Sequence, residues 1–265
     1  MAEEKKNYLM TIYDGLNNKL DMQVAALPKE FNKQRFVQNC MTVLQDGKAD
    51  FSKCEPASVV RTLMKGAFLG LDFFNGECYA IPYGGSVQFQ TDYKGEVKLC
   101  KKYSSSPIKD IYAKVVKEGD FFEEVIENGQ QCINFKPKQF NDGEIIGAFA
   151  VCLYRDGSMI YDTMSKAEIE ATRENYSKMK NGQAWTKSYG EMAKKTVLRR
   201  LCKLIDLNFD YAEQMQAFVD GSGFDVKNEE KKEPEKGVDV FENVIDVEES
   251  EVVNVVDEAK EVFPD

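Results

Sequence analysis

Residues 191–205, EMAKKTVLRRLCKLI, carry five basic side chains: Lys194, Lys195, Arg199, Arg200 and Lys203. At 100° per residue on a helix, Ala193, Val197, Leu198, Leu201, Cys202, Leu204 and Ile205 fall on one arc. Lys195, Arg199, Arg200 and Lys203 fall on the opposite arc, with no acid among them. The chemistry available to such a face is the binding of a polyanion, because closely spaced cations recruit phosphates through counterion release. The alternative is a solvated face, although those normally mix signs. Lys194 lies toward the apolar arc, where it must snorkel, pair with a buried acid, or reach beyond the helix.

A second cationic set sits in the first half of the chain. Arg61 and Lys65 are four apart, and Lys94, Lys98, Lys101 and Lys102 have spacings that share one helix face. Between these runs, YAIPYGGSVQFQTDY offers Tyr79, Tyr83, Phe89 and Tyr93 together with Gln88 and Gln90. Aromatic side chains stack on bases, amides hydrogen-bond, and lysines hold phosphates, so this interleaving suits a single strand of nucleic acid. Alternation with Val87 puts Phe89 on a core face and Gln88 and Gln90 on the polar one; Tyr93 stays open.

Other chemistries are poorly served. The chain has no histidine, which removes Ser-His-Asp, Cys-His and HExxH schemes. No GxxxxGK[ST] occurs, so ATP hydrolysis is not expected. Asp110, Asp120, Glu123 and Glu124 lie close in sequence, but in turns and strand edges that read as a solvated hairpin rather than as a metal nuclease. The seven cysteines are scattered with no CxxC, which reads as reduced thiols in a cytosolic protein. Neither a signal peptide nor a membrane span is expected.

The net charge of −10 belongs to one end. Residues 221–265 hold 15 acidic and 5 basic side chains, which leaves 30 of each in residues 1–220. We therefore read residues 1–220 as one folded domain with a balanced charge, and residues 221–265 as a disordered acidic tail whose valine clusters are docking motifs.

The elements that must position the cations follow from periodicity and punctuation. Residues 16–45 carry apolar side chains three and four apart, which predicts a helix from about Pro28 and a surface for either core or a neighbouring subunit. A second helix runs from Pro56 to Gly70. Gly84-Gly85 predicts a hairpin turn, and YKGEVKLCKKYSSS a helix. Strand-like segments then run from Ile108 to Ser165, read as an antiparallel meander. Ser165 and Glu168 form a capping box, KMKNGQAW a mobile loop, and helices follow at about 186–205 and 209–220. The class is α+β: antiparallel hairpins and a meander packed with several helices.

CYAIPYGGSVQFQTDYKGEVKLCKK, followed about a hundred residues later by EMAKKTVLRRLCKLI, closely resembles the RecT family of phage and prophage recombinases, within the wider RecT/Redβ group of single-strand annealing proteins. The likeness runs from about Pro56 to Leu207 and includes RTLMKGAFLGLDF. It implies a non-hydrolytic, ATP-independent protein that coats single-stranded DNA as a ring or helical filament and pairs it with its complement. It also implies work in the bacterial cytoplasm beside a phage 5′→3′ exonuclease and a host single-strand-binding protein. No cofactor is implied, Mg²⁺ entering only as a modulator of DNA binding. The expected contacts with single strand and product duplex are Arg61, Lys65, Gln88, Gln90, Tyr93, Lys94, Lys98, Lys101, Lys102, Lys194, Lys195, Arg199, Arg200 and Lys203. The rival reading is a sequence-independent nucleic-acid-binding module that does not anneal.

Overall fold

The computed structural model describes residues 2–46, 49–127, 129–177 and 180–222. These belong to one compact unit. The acidic tail lies outside the described residues from Gly223 onward.

Three helices open the fold: α1 (Ala2–Met22), α2 (Lys33–Gln45) and α3 (Pro56–Leu69). Ile12, Leu16 and Leu20 repeat every four residues along α1 and are buried, as are Phe36, Val37, Cys40 and Leu44 of α2. The helix expected from Pro28 starts instead at Lys33. The side chain of Asn32 accepts a hydrogen bond from the backbone N–H of Arg35 at 2.9 Å, and this cap sets the start. Helix α3 has the predicted ends, with Pro56 in its first turn and Gly70 at φ 66° closing it.

The hairpin β1 (Cys78–Tyr83) and β2 (Ser86–Thr91) turns through Gly84 and Gly85, both with positive φ. Cross-strand partners share a face. The register Tyr79↔Gln90, Ile81↔Gln88 and Tyr83↔Ser86 therefore leaves one open face, while Val87 and Phe89 point into the helical core. Helix α3 covers that inner side: the backbone N–H of Val87 donates to Ser58 Oγ and Thr62 Oγ1 donates to the Val87 carbonyl, each at 2.9 Å.

Helix α4 (Tyr93–Tyr103) follows the hairpin directly. A three-stranded antiparallel sheet comes next, β3 (Ile108–Lys117), β6 (Ile145–Tyr154) and β7 (Met159–Ser165), in the order β3-β6-β7. The strands β4 (Phe121–Glu127) and β5 (Gln130–Lys136) pair with each other as an inserted hairpin, so β3 meets β6 rather than its neighbour in sequence.

Strand β6 is buried on both faces. Its small Ala148, Ala150 and Cys152 admit α7 (Tyr189–Cys202) on one side, while Phe149 meets Phe122 and Phe135 of the inserted hairpin on the other, at 5.2 and 5.0 Å between ring centroids. Helix α5 (Lys166–Tyr176) begins at the predicted capping box of Ser165 and Glu168.

The expected helix from Thr186 is instead two helices. A short α6 (Gln183–Lys187) ends at Ser188, whose non-helical backbone (φ −135°, ψ 43°) separates it from α7. Within the segment expected to be a loop, Lys178 and Met179 lie outside the described residues. Trp185 is buried: its indole N–H donates to Ser177 Oγ at 3.1 Å, and Arg173 lies over the ring. Helix α8 (Ala212–Ser222) packs on α3 and β2.

Gly95 shows how closely α4 approaches the hairpin. A Cβ there would lie 2.2 Å from the carbonyl oxygen of Glu77, which also accepts the Asp92 N–H at 2.9 Å. In an open helix Ala would be favoured over Gly by about 1 kcal/mol. Here Gly95→Ala should instead destabilise by about 1–3 kcal/mol, measured by urea unfolding; a stabilised variant would contradict the close approach.

Candidate nucleic-acid interface

Helices α4 and α7 lie side by side and run parallel, in one register. Asp92 meets Lys195, Glu96 meets Arg199, the Cys100 thiol lies 3.8 Å from the Cys202 carbonyl, and Ser104 bridges Leu207. Asp92 and Glu96, one turn apart at the start of α4, thus match Lys195 and Arg199, one turn apart on α7 and 103 residues later in the chain. The two segments that stand out in the sequence are the two halves of one structural element.

The acids of this ladder are buried. Asp92 caps α4 with one carboxylate oxygen, accepting from the Lys94 N–H, and takes the Lys195 ammonium on the other at 2.8 Å. An acid at a helix N-terminus is stabilised by the unpaired N–H groups there. Glu96 accepts from Thr91 Oγ1 at 2.9 Å and faces the Arg199 guanidinium at 3.1 Å. Its side chain is 2% exposed and that of Arg199 is 11% exposed. Burial pushes the Glu96 carboxyl above its ordinary range, and Arg199, Thr91 and Lys203 pull it partly back.

These positions revise the reading of the cationic arc. Arg199 is turned inward onto a buried carboxylate instead of outward. Lys194 makes a pair with the exposed Glu191 at 2.6 Å, so the buried partner that its wheel position suggested belongs to Arg199. Arg200 grips Asp162 of β7 through Nε and Nη2, each at 2.9 Å, and ties α7 to the sheet. Lys203 caps the C-terminus of α7, is exposed, and feels the charge of Glu96.

On α4, Glu96, Leu99, Cys100 and Tyr103 are buried, and the lysines occupy the opposite arc. Lys94 is exposed and makes no ion pair among the described residues. Lys98 reaches the Gly70 carbonyl at 2.9 Å and Glu77 at 2.7 Å. Lys101 pairs with Asp110 at 3.3 Å, and Lys102 lies over the ring of Tyr103, with burial and Lys98 drawing its pKa down. Lys98, Lys101 and Lys102 thus lie away from Glu96 and Cys100, the residues of α4 that face α7, whereas Lys195 of α7 reaches the start of α4 at Asp92 and Tyr93.

Arg61 and Lys65 sit on α3, the helix that covers the buried side of the hairpin. Arg61 is exposed, 4.0 Å from Glu55, and Lys65 is bound to Asp220 of α8 at 2.6 Å. Gln88 and Gln90 share the hairpin's open face with Tyr79, Ile81 and Tyr83. Tyr79 and Tyr83 are exposed and belong to this surface, although only their interleaving with lysines hinted at them. Tyr79 pairs across the hairpin with Gln90, two residues before the Asp92 cap of α4, and burial, then the charge of Asp92, pushes its hydroxyl pKa up. There Lys195 lies 5.6 Å over the ring of Tyr93. The result is a strip of half-exposed aromatics and amides that ends at Tyr93, with Lys94 and Lys195 beside it. The chemistry it offers is stacking along the strip and phosphate neutralisation at its end.

The carboxylates near residue 120 have other work. Asp120 accepts from the backbone N–H groups of Lys117 and Lys138 and from the Asn141 amide; despite a burial effect in the other direction, these bonds lower its pKa. Among the described residues no group of three or more Cys, Asp or Glu is placed to hold a metal ion, and no helix is long and apolar enough to cross a membrane.

The RecT family model matches residues 34–251. The chain is 29% identical over 196 residues to protein RecT of Escherichia coli (strain K12), which covers 70% of this chain and 71% of that protein. It is also 29% identical over 163 residues to the uncharacterized protein YqaK of Bacillus subtilis (strain 168), covering 59% of this chain and 54% of that one.

Breaking a buried ion pair strands one charge, whereas replacing both partners by apolar groups does not. Arg199→Met should therefore destabilise by about 3–5 kcal/mol, while the double variant Glu96→Met/Arg199→Met should recover most of that loss. The sign with pH follows from the raised native pKa: Glu96 contributes least unfavourably below the unfolded value of 4.5 and loses stability as pH rises through its native value. Urea unfolding of wild type and double variant from pH 4 upward should show the wild type falling behind. A single variant as stable as the wild type would contradict the buried pair.

Proposed function

This chain belongs to the RecT family of phage-type recombination and annealing proteins, and from that premise we propose that it binds single-stranded DNA and anneals it to its complement without ATP. The observation that carries the residue-level reading is the continuity of the hairpin's open face with Tyr93 and Lys94 at the start of α4. Two strands repel through their phosphates. A cationic, aromatic surface offsets that repulsion while presenting bases for pairing, and base pairing then drives the reaction downhill. Contacts go to backbone and base faces, since any sequence must be accepted.

In this reading Tyr79, Tyr83, Gln88, Gln90 and Tyr93 hold bases, and Lys94, Lys98, Lys101, Lys102 and Lys195 neutralise phosphates. Arg61, Lys65, Lys194, Arg200 and Lys203 extend the field at its margins. Arg199 positions α7 against α4 and acts on DNA through that placement. The protein assembles on DNA as a ring or helical filament in the bacterial cytoplasm, performs no hydrolysis and needs no nucleotide cofactor. A 5′→3′ exonuclease supplies its single strand, and the tail docks that nuclease or the host single-strand-binding protein.

Complementary dye-labelled strands mixed with the purified protein, without ATP, test the reaction. Annealing should be faster than in protein-free controls at moderate salt; unchanged rates with binding intact would leave only a nucleic-acid-binding module. Strands shortened in Mg²⁺ on a gel would mean a nuclease instead. Lys94→Ala should lower the slope of log affinity against log salt by about one, and an unchanged slope in the folded variant would remove Lys94 from the interface. Deletion of residues 224–265 should leave annealing intact or tighten DNA binding, because the tail's charge opposes a polyanion. A truncated chain that binds DNA but fails to anneal would contradict that role.

A further inference from the structure

The face of the sheet turned away from α7 carries an apolar trough outside the tyrosine strip. Asp110, Tyr112 and Lys114 alternate along β3 and so point to this one face. Across the ladder Tyr112 stands opposite Val151 and Lys114 opposite Phe149. The β4–β5 hairpin lies on the same face, with Phe135 against Phe149, and it leans toward β7. The β3 side is left open as a groove of about 550 Å³. Phe135 and Pro137 of the hairpin form one wall, Tyr112 and Lys114 the other, and Phe149 and Val151 the floor.

The charge of this groove is one-sided. Asp110 is the only acid in its lining, and its carboxylate is taken up by Lys101 of α4 at 3.3 Å and by the Ile111 backbone N–H at 2.8 Å. Lys114 is exposed and makes no ion pair among the described residues, and Tyr112 is 36% exposed.

We propose that the groove is a second base-binding subsite for single-stranded DNA. The strand passes from the lysines of α4 round the edge of β3 at Lys101, stacks a base on Tyr112 within the apolar trough, and sets a phosphate on Lys114. An aromatic wall accepts the face of any base and a neighbouring cation accepts the backbone, which is the pairing that single-strand sites use. Lys101 joins the two surfaces, since it lies on the outer arc of α4 and reaches Asp110 on β3. That ion pair is about half exposed on both sides. Such pairs hold weakly, so Lys101 can turn to a phosphate.

From Asp110 to Lys114 the strand rises about 13 Å. DNA stacked as in a duplex covers that length with about four nucleotides, and an extended strand covers it with fewer. The competing occupant is a peptide added to the outer edge of β3. It would pair with the backbone of β3 and leave Lys114 without a counter-charge, whereas DNA supplies one. This subsite rests on the single-strand binding proposed for the hairpin and α4, and it adds residues of the sheet to that surface.

The test titrates a labelled single strand against the full-length protein at several salt concentrations, with folding checked by circular dichroism. Lys114→Ala should lower the slope of log affinity against log salt by about one. Tyr112→Leu, which keeps the groove apolar, should weaken binding by about fivefold or more with the slope unchanged, and Tyr112→Phe should restore wild-type affinity. An unchanged slope in Lys114→Ala, or wild-type affinity in Tyr112→Leu, would overturn the subsite, as would happen if the groove holds a peptide. Lys94→Ala is the reference. If it lowers the slope while Lys114→Ala does not, the groove alone fails; if neither lowers it, the single-strand surface on α4 fails and the subsite with it.

Discussion

The fold turns on one buried ion pair, Arg199 against Glu96, set in a pair of parallel helices. Each charge is costly to bury alone, and each is acceptable because the other is at 3.1 Å and Thr91 donates to the same carboxylate oxygen, Oε1. The pair fixes how α4 and α7 slide along one another, and Lys195 on Asp92 repeats the same step one turn earlier. Adjacent residues of α4 serve different interiors: Leu99 packs with the opening helices and Cys100 with the sheet and α7. A shift of α4 would disturb both interiors together, so the ladder makes helices, hairpin and sheet one mechanical body.

That constraint arranges the surface as well. With its acids and apolar residues facing inward, α4 has one direction left for Lys94, Lys98, Lys101 and Lys102, and β2 enters the helix at Asp92 with its amides on the hairpin's open side. The polar strip and the lysines are thus outward consequences of an inward pairing. Annealing by such a surface asks no bond-breaking of the protein. It asks for reduced repulsion between strands and for bases held accessible, both of which come from static placement of aromatic and cationic side chains.

Much of the fold was legible because its signals are local. Pro56 and Gly70 bound α3, Gly84-Gly85 turn the hairpin, and Ser165 with Glu168 start α5. What escaped reading was partly a competition between local signals and partly a matter of distant partners. Asn32 outcompetes Pro28 as a helix start through its side-chain cap, Ser188 breaks a stretch with continuous helical periodicity, and β4–β5 separates two strands that pair with each other. At the candidate site, a helical wheel found the cationic arc of α7 but could not tell solvent from a buried acid. The missing signal was on the other helix: Asp92 and Glu96, four apart, lie on the side of α4 that also carries Leu99 and Cys100, and acids on an apolar face require cations from elsewhere.

The central claim is that DNA lies along the hairpin's open face and the outer side of α4, while Arg199 supports that surface from within. Photocrosslinking of bromodeoxyuridine-substituted single strands, followed by peptide mapping, tests it most directly. The account predicts crosslinks at Tyr79, Tyr83 and Tyr93 and none at Arg199. Crosslinks concentrated on the β4–β5 hairpin or on α7, with the tyrosine strip unmarked, would contradict it.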